Sequence, residues 1–150
     1  LDQVTDPQNV GAIIRTFNFF GGENLLITKD HSSEINGSLA KSASGALESV
    51  NIIKVTNLSM ALKKMRKKGF IIIGLDENSH VMLNNSKDYI NEKKVLVMGS
   101  EGKGLRRLTK ENCDLLVSIA NNNDSDFNTL NVSVSSALAL YEFMGRDIKK

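Results

Sequence analysis

The chain has 150 residues, enough for one domain with a buried core and too few for two ordinary domains. Its composition, 41% hydrophobic and 24% charged, excludes a disordered or fibrous protein, and the net charge of +2 only faintly indicates a polyanionic partner. A single cysteine, Cys113, excludes a disulfide framework and suits a cytoplasmic location, and the absence of a long apolar run predicts no membrane partner.

The first predicted element is a helix that ends near Gly21. Asp6 precedes Pro7, which needs no amide partner at a helix start, although Asn9 could also be the cap. Arg15 lies off the apolar stripe of this helix and would ordinarily be a surface arginine. The chain begins without an initiator methionine, and we therefore expect it to be a fragment.

Five apolar segments are predicted to be strands that alternate with helices. The predicted strands are 24–28, 52–55, 70–75, 95–98 and 115–119. The predicted later helices are 38–47, 58–68, 105–112 and 134–144, with a loop at 76–94 that holds a short helix around Tyr89 and another loop at 121–128. This alternation indicates an α/β fold with one parallel sheet flanked by helices.

Basic residues cluster in the helix predicted for 58–68. The cluster comprises Lys63, Lys64, Arg66, Lys67 and Lys68, and Arg106 and Arg107 follow further along the chain. Such a cluster is compatible with a nucleic-acid surface, but a merely solvated helix face is the more frequent explanation.

The segment Val95–Leu105 is the strongest candidate for a ligand site. An unbroken apolar run predicts a strand buried on both faces, and the glycine-rich turn after it would lie at the carboxyl edge of the sheet, where ligands bind. Leu105 and Arg106 stand where a Walker loop needs Lys and Ser or Thr, and Arg107 stands where a dinucleotide fingerprint needs glycine. The turn therefore matches neither phosphate loop, and a plain strand-to-helix turn is the alternative.

Three separated segments resemble the signature motifs of one family. Asp6–Thr16, Val97–Gly102 and Leu130–Val134 are similar, in order and spacing, to the motifs of SpoU-type (TrmH-like) RNA ribose 2′-O-methyltransferases of the SPOUT class. The resemblance covers nearly all of 1–150, which is therefore expected to be the catalytic domain, with the N-terminal RNA-recognition domain of many members missing. Residues 104–114 most resemble the branch that methylates a guanosine ribose in large-subunit ribosomal RNA.

The resemblance implies S-adenosylmethionine as methyl donor, no metal, and a C-terminal trefoil knot in which the donor binds. It also implies a homodimer whose active site takes residues from both subunits, and RNA as the partner, ribosomal RNA before transfer RNA. The alternatives are a transfer RNA ribose methyltransferase and an RNA-binding module without catalysis.

The resemblance also assigns site residues. The cofactor contacts are Met98, Gly99, Ile119, Ala120 and Leu130, although the family usually has proline where this chain has Ala120. The catalytic positions are Arg15, Asn9, Glu101, Asn131 and Ser133.

The chemistry of each catalytic position suggests its role. Arginine is effectively never deprotonated in proteins, so Arg15 is expected to hold a phosphate and stabilise developing charge on the 2′-oxygen rather than act as a base. Glu101 is expected to fix Asn131 or Arg15 by a hydrogen bond, while Asn9 and Ser133 orient RNA or backbone. The structural alternatives are helix caps at Asn9, Asn131 and Ser133, and a turn residue at Glu101.

Overall fold

The computed structural model describes residues 1–85, 89, 92–121 and 129–145. Its strands are β1 (Asn24–Thr28), β2 (Asn51–Val55), β3 (Ile71–Leu75), β4 (Lys94–Val97) and β5 (Leu115–Val117). Its helices are α1 (Pro7–Phe19), α2 (Gly37–Ala43), α3 (Leu58–Lys67), α4 (Arg107–Lys110) and α5 (Val132–Leu140). Every paired strand runs parallel to its neighbour, which confirms the predicted α/β class with helices around parallel strands.

The strands form two sheets, so the prediction of one sheet is wrong. β1 pairs with β2, and β3 lies between β4 and β5. Between β1 and β4 lie residues 1 and 2: the backbone nitrogen of Leu1 donates to the Leu26 carbonyl at 2.6 Å, and the Asp2 N–H donates to the Met98 carbonyl at 2.8 Å. A two-residue segment thus connects the sheets where direct strand pairing is absent.

Burial differs between the central strand and its neighbour. Ile72 and Ile73 of β3 are fully buried, as expected for a strand with a partner on each side. Residues 94–96 of β4 are only half-buried, because β4 is an edge strand beside an apolar groove of about 520 Å³. The prediction of burial on both faces therefore holds for Val97 and Met98 and is wrong for the residues before them.

The first two helices begin and end at residues with identifiable capping chemistry. The Asp6 carboxylate caps α1 by accepting from the backbone N–H groups of Gln8 and Asn9, so the alternative cap at Asn9 is wrong. The helix predicted for 38–47 is interrupted because Ser44 adopts a left-handed conformation (φ 49°), and a separate 3₁₀ turn follows at Ala46–Glu48. A Cβ on Gly11 would lie 2.5 Å from the Leu39 carbonyl oxygen, so glycine permits the close packing of α1 on α2.

The remaining elements are shorter than predicted or lie partly outside the described residues. α4 has one turn instead of the expected helix over 105–112, and α5 continues into a π-helical turn at Tyr141–Gly145. A 3₁₀ turn at Leu83–Asn85 lies in the predicted loop 76–94. Most residues around Tyr89, where a short helix was expected, and most of the loop 121–128 lie outside the described ranges. Within those ranges, no helix combines the length and apolarity needed to cross a membrane.

Candidate active site

A cavity of about 340 Å³ lies at the carboxyl ends of β3, β4 and β5. The five residues that the sequence assigns to a cofactor all line it: Met98, Gly99, Ile119, Ala120 and Leu130. They come from the end of β4, the segment after β5 and the segment before α5, so the fold brings together residues that are distant in sequence. This is the edge at which open parallel sheets bind ligands.

The glycine turn forms one wall of the cavity by folding back on itself. The Gly104 N–H donates to the Ser100 carbonyl at 2.8 Å, and the Ser100 N–H donates back at 3.2 Å. A Cβ on Gly99 would lie 2.1 Å from the Gly104 carbonyl carbon, and Gly102 and Gly104 have positive φ values of 76° and 63°. The turn therefore requires glycine at these positions and places Glu101 at its tip beside the cavity.

Two ion pairs next to the cavity were not predicted from the sequence. Lys110 Nζ lies 2.7 Å from the Asp76 carboxylate, and both residues line the cavity. The fully buried carboxylate of Asp2 accepts from Arg106 Nε at 2.6 Å and from the Arg106 backbone N–H at 3.0 Å, which fixes the start of α4. Asp76 could have been proposed because it directly follows β3, but no local signal pairs Asp2 with a residue 104 positions away.

Four of the five predicted catalytic residues form one hydrogen-bonded network. Glu101 Oε1 accepts from Asn9 Nδ2 and from Asn131 Nδ2, each at 2.9 Å. Asn131 Nδ2 also donates to Asn9 Oδ1 at 3.0 Å, and Asn131 Oδ1 accepts from the Ser133 hydroxyl at 2.6 Å. The network, defined as Asn9, Glu101, Asn131 and Ser133, thus links all three sequence motifs.

The network also decides between the alternatives left open by the sequence. Glu101 contacts Asn131, one of its two expected partners, and not Arg15. Asn131 is both a member of the network and the N-cap of α5, since its side chain accepts from the Ser133 N–H at 2.8 Å. Asn9 is buried and pairs with Glu101, so its amide serves the network and not a helix end.

Arg15 is not part of the network within one chain. It is exposed, and within the described part of the chain its guanidinium makes one hydrogen bond, from Nη1 to the Ser44 hydroxyl at 3.3 Å. Six residues separate it from Asn9, which corresponds to ~9 Å along the helix axis. A single chain therefore assembles the predicted cofactor residues around the cavity and four of the predicted catalytic residues in the network. The fifth, Arg15, lies on the outer surface of α1.

The lone cysteine is chemically inert in this environment. Burial, followed by the nearby carboxylate of Asp114, raises the pKa of the Cys113 thiol to about 12. Its Sγ lies against β3, where a Cβ on Gly74 would approach it to 2.8 Å. Cys113 therefore packs against β3 as a neutral thiol.

Comparison with known proteins identifies the family. Residues 1–141 match the SpoU rRNA Methylase family. The chain is 39% identical over 142 residues to the 23S rRNA (guanosine-2′-O-)-methyltransferase RlmB of Escherichia coli, and this match covers 95% of the chain but 57% of the relative.

Solved structures share the fold over almost the whole chain. The TrmH/SpoU tRNA modifying enzyme of A. aeolicus superposes with a TM-score of 0.84 at 26% identity, over 96% of this chain and 71% of that one. The SpoU methyltransferase AviRb from Streptomyces viridochromogenes, solved in complex with the cofactor AdoMet, gives 0.85 at 23% identity, over 98% and 58%. The family match over 141 residues and the shared fold lead to one conclusion: this chain belongs to the SpoU rRNA methylase family.

Proposed function

We propose that this chain is the catalytic domain of an S-adenosylmethionine-dependent enzyme that methylates a ribose 2′-hydroxyl in RNA. The observation that carries the proposal is that the hydrogen bonds of Glu101, which lines the cavity, join it to Asn9 and Asn131 of the other two motifs. A guanosine of large-subunit ribosomal RNA is the proposed target, since the E. coli relative bears that activity in its name. The match spans 57% of that relative's length.

The cavity has the features that an adenosyl cofactor needs. Apolar side chains of Met98, Val117, Ile119 and Leu130 can enclose the adenine, and the irregular backbone after β5 can supply hydrogen bonds to its edge. When bound, S-adenosylmethionine supplies an activated methyl group, and this chemistry requires no metal. Ala120 replaces the proline usual in the family and leaves the backbone there less constrained.

The polar residues have separate tasks in the proposed reaction. Glu101 fixes the amides of Asn9 and Asn131, so that the walls of the cavity keep their relative positions. Alignment of the ribose oxygen with the methyl group can supply ~7 kcal/mol of the barrier. The charge that develops on that oxygen needs a cation, and Arg15 is the proposed source because a guanidinium stays protonated.

A homodimer would bring Arg15 to the site. The large apolar residues Phe19 on α1, Val134 and Leu138 on α5, and Tyr141 in the π-helical turn after α5 are 78%, 47%, 41% and 54% exposed. The helices α1 and α5 pack together. We call this surface the α1–α5 face. Arg15 is one helical turn from Phe19 on the same side of α1. Pairing two copies through this face would bury the apolar residues and direct Arg15 towards the partner's cavity.

Three further features are proposed from family membership. The segment after β5 is proposed to thread through a loop as a trefoil knot around the cofactor. Residues 1–150 are proposed to be one catalytic domain that acts together with an RNA-recognition domain elsewhere in a longer protein. Ribosomal RNA as substrate implies that the enzyme works in the cytoplasm.

Calorimetry with S-adenosylmethionine tests the cofactor assignment. We expect saturable binding that Leu130→Arg weakens at least about tenfold, because the new side chain would enter the cavity. Ile35→Arg is the matched control: Ile35 is 47% exposed, similar to Leu130 at 52%, and does not line the cavity. Absence of binding by the wild type would favour the alternative of an RNA-binding module without catalysis.

Methyl transfer then identifies the RNA. We expect labelled methyl groups to enter 23S ribosomal RNA that lacks the modification, and nuclease mapping to locate them on a guanosine ribose. Transfer to bulk transfer RNA with ribosomal RNA unlabelled would support the second candidate, a transfer RNA methyltransferase.

A further inference from the structure

The lysines of α3 fall on two distinct sides of the helix. Leu58 and Leu62 are buried and define its inner side. Ser59 donates to the Leu108 carbonyl at 3.4 Å, and Arg66 Nη2 donates to the Asn112 carbonyl at 2.5 Å, so these residues define the side that faces α4.

The helical repeat of 100° per residue places each lysine relative to that side. Lys63 and Lys67 lie between the α4 side and solvent, whereas Lys64 and Lys68 lie on the far side. All four residues are exposed.

The acidic residues near α4 are already paired with cations. Arg66 pairs with Asp114, Arg107 with Glu111, and Lys110 with Asp76. Lys63 and Lys67 have no carboxylate within 4.0 Å in the described part of the chain, and α3 itself contains no acidic residue. The α3–α4 side therefore carries a surplus of positive charge, although the net charge of the chain is only +2.

This surplus has a fixed position relative to the cavity. The bonds of Ser59 and Arg66 hold α3 against α4 and the residues after it. α4 in turn contributes Lys110 to the cavity, and the exposed Lys103 lines the same cavity from the glycine turn. Positively charged side chains therefore extend from α3, across α4, to the edge of the cavity.

We propose that Lys63 and Lys67 bind the phosphate backbone of the RNA on the α4 side of the cavity, next to the nucleotide that enters the site. This inference rests on the proposed function and adds to it the surface that positions the substrate. Phosphate contacts of this kind set the position of a nucleic acid without reading its sequence. Each contact releases condensed counterions, so the contribution of the two lysines depends strongly on salt.

The test compares two double variants that remove the same charge from the same helix. Binding of a fluorescein-labelled RNA hairpin is measured by anisotropy across a range of salt concentrations, with the full chain. We expect K63Q/K67Q to weaken binding about tenfold at low salt and to reduce the slope of log affinity against log salt by roughly 1.4–1.8, the value for two lost phosphate contacts. K64Q/K68Q should change affinity by less than about twofold and leave the slope unchanged.

Two outcomes would overturn the proposal. One is an equal change of RNA affinity in both double variants. An equal loss would indicate a diffuse charge effect, and no loss in either would indicate a solvated helix face. The other is binding of the wild type to phosphatidylserine vesicles and not to the hairpin, since it would identify a membrane surface. Calorimetry with S-adenosylmethionine on the same variants separates this test from that of the proposed function. If a variant binds the cofactor as the wild type does but binds RNA with altered affinity, the change is due to the substituted lysines and not to loss of the cofactor site.

Discussion

Two parts of one sequence motif have opposite surroundings in the structure. Asn9, near the start of α1, is buried and holds Glu101 and Asn131 in a network that is complete within one chain. Arg15, on the same helix, is exposed and donates to the Ser44 hydroxyl. If both residues belong to one active site, a single chain supplies the cavity and the network, but its own Arg15 does not contact them. The contrast shows that one motif is divided between an interior network and an exposed side chain, and the proposed homodimer would account for that division.

The largest expected effect is that of Arg15→Ala. Loss of a group that stabilises developing charge in a transition state costs about 10²–10³-fold in rate, so methyl transfer to ribosomal RNA should fall by that factor. Affinity for S-adenosylmethionine should stay unchanged, because the proposed partners of Arg15 are an RNA phosphate and the 2′-oxygen and not the cofactor. Transfer at the wild-type rate would remove Arg15 from the reaction.

Mixing two inactive variants sharpens this comparison. In a heterodimer of Arg15→Ala and Asn131→Ala chains, one site receives an intact arginine and an intact network. Random pairing then restores about one quarter of the wild-type activity, as expected for a twofold dimer with shared sites. Each variant mixed with itself serves as the control, and no recovery in the mixture would place Arg15 in the site of its own chain.

Disruption of the α1–α5 face should lower activity almost as far as loss of the arginine. Leu138→Glu introduces a charge into the proposed interface, so sedimentation should detect monomers and methyl transfer should fall about as much as with Arg15→Ala. Val81→Glu is the matched control, because Val81 is 40% exposed, compared with 41% for Leu138, and lies outside this face. A dimeric Leu138→Glu protein would show that the copies pair through another surface.

The sequence predicted the elements that depend on short-range patterns. The strand at Asn24–Thr28 has the predicted bounds, and the other strands differ by one or two residues at one or both ends. The Asp6–Pro7 start of α1 was also predictable, because a capping carboxylate before proline is a local signal. The five cofactor positions came from the resemblance to the family and not from the pattern itself, and their common place at one cavity agrees with the rule that ligands bind at the carboxyl ends of parallel strands.

Features that depend on contacts distant in sequence could not be predicted. The gap between the two sheets is spanned by Leu1 and Asp2, and apolar patterns contain no information about which strands become neighbours. The break at Ser44 arises from its left-handed backbone, which a serine adopts only at a cost, so helix propensity alone extended the helix through it. The outward position of Arg15 became visible only once the packing of α1 was known.

A smaller effect is expected when the network loses its shared acceptor. Glu101→Ala leaves the amides of Asn9 and Asn131 without the carboxylate oxygen that accepts from both, and should lower the free energy of unfolding by about 1–2 kcal/mol. Glu101→Gln retains an acceptor oxygen and should lose about half as much. Chemical denaturation measures both, with the exposed Glu34→Ala as a control that stays within about 0.5 kcal/mol. Equal stability of all three variants would mean that the network does not hold the motifs together.

The smallest effect is expected from Ser44→Ala, which removes the hydrogen bond of Arg15 within its own chain. An exposed bond of 3.3 Å contributes little, so the free energy of unfolding should change by less than about 0.5 kcal/mol. If Arg15 acts in the partner's site, this bond is not used during the reaction, and methyl transfer should stay within about twofold of wild type. A loss as large as that of Arg15→Ala would contradict this, because it would mean that Ser44 holds the arginine in its working position. Measurement of both variants under the same conditions therefore decides whether the observed contact of Arg15 is a resting contact of the free chain or part of the active site.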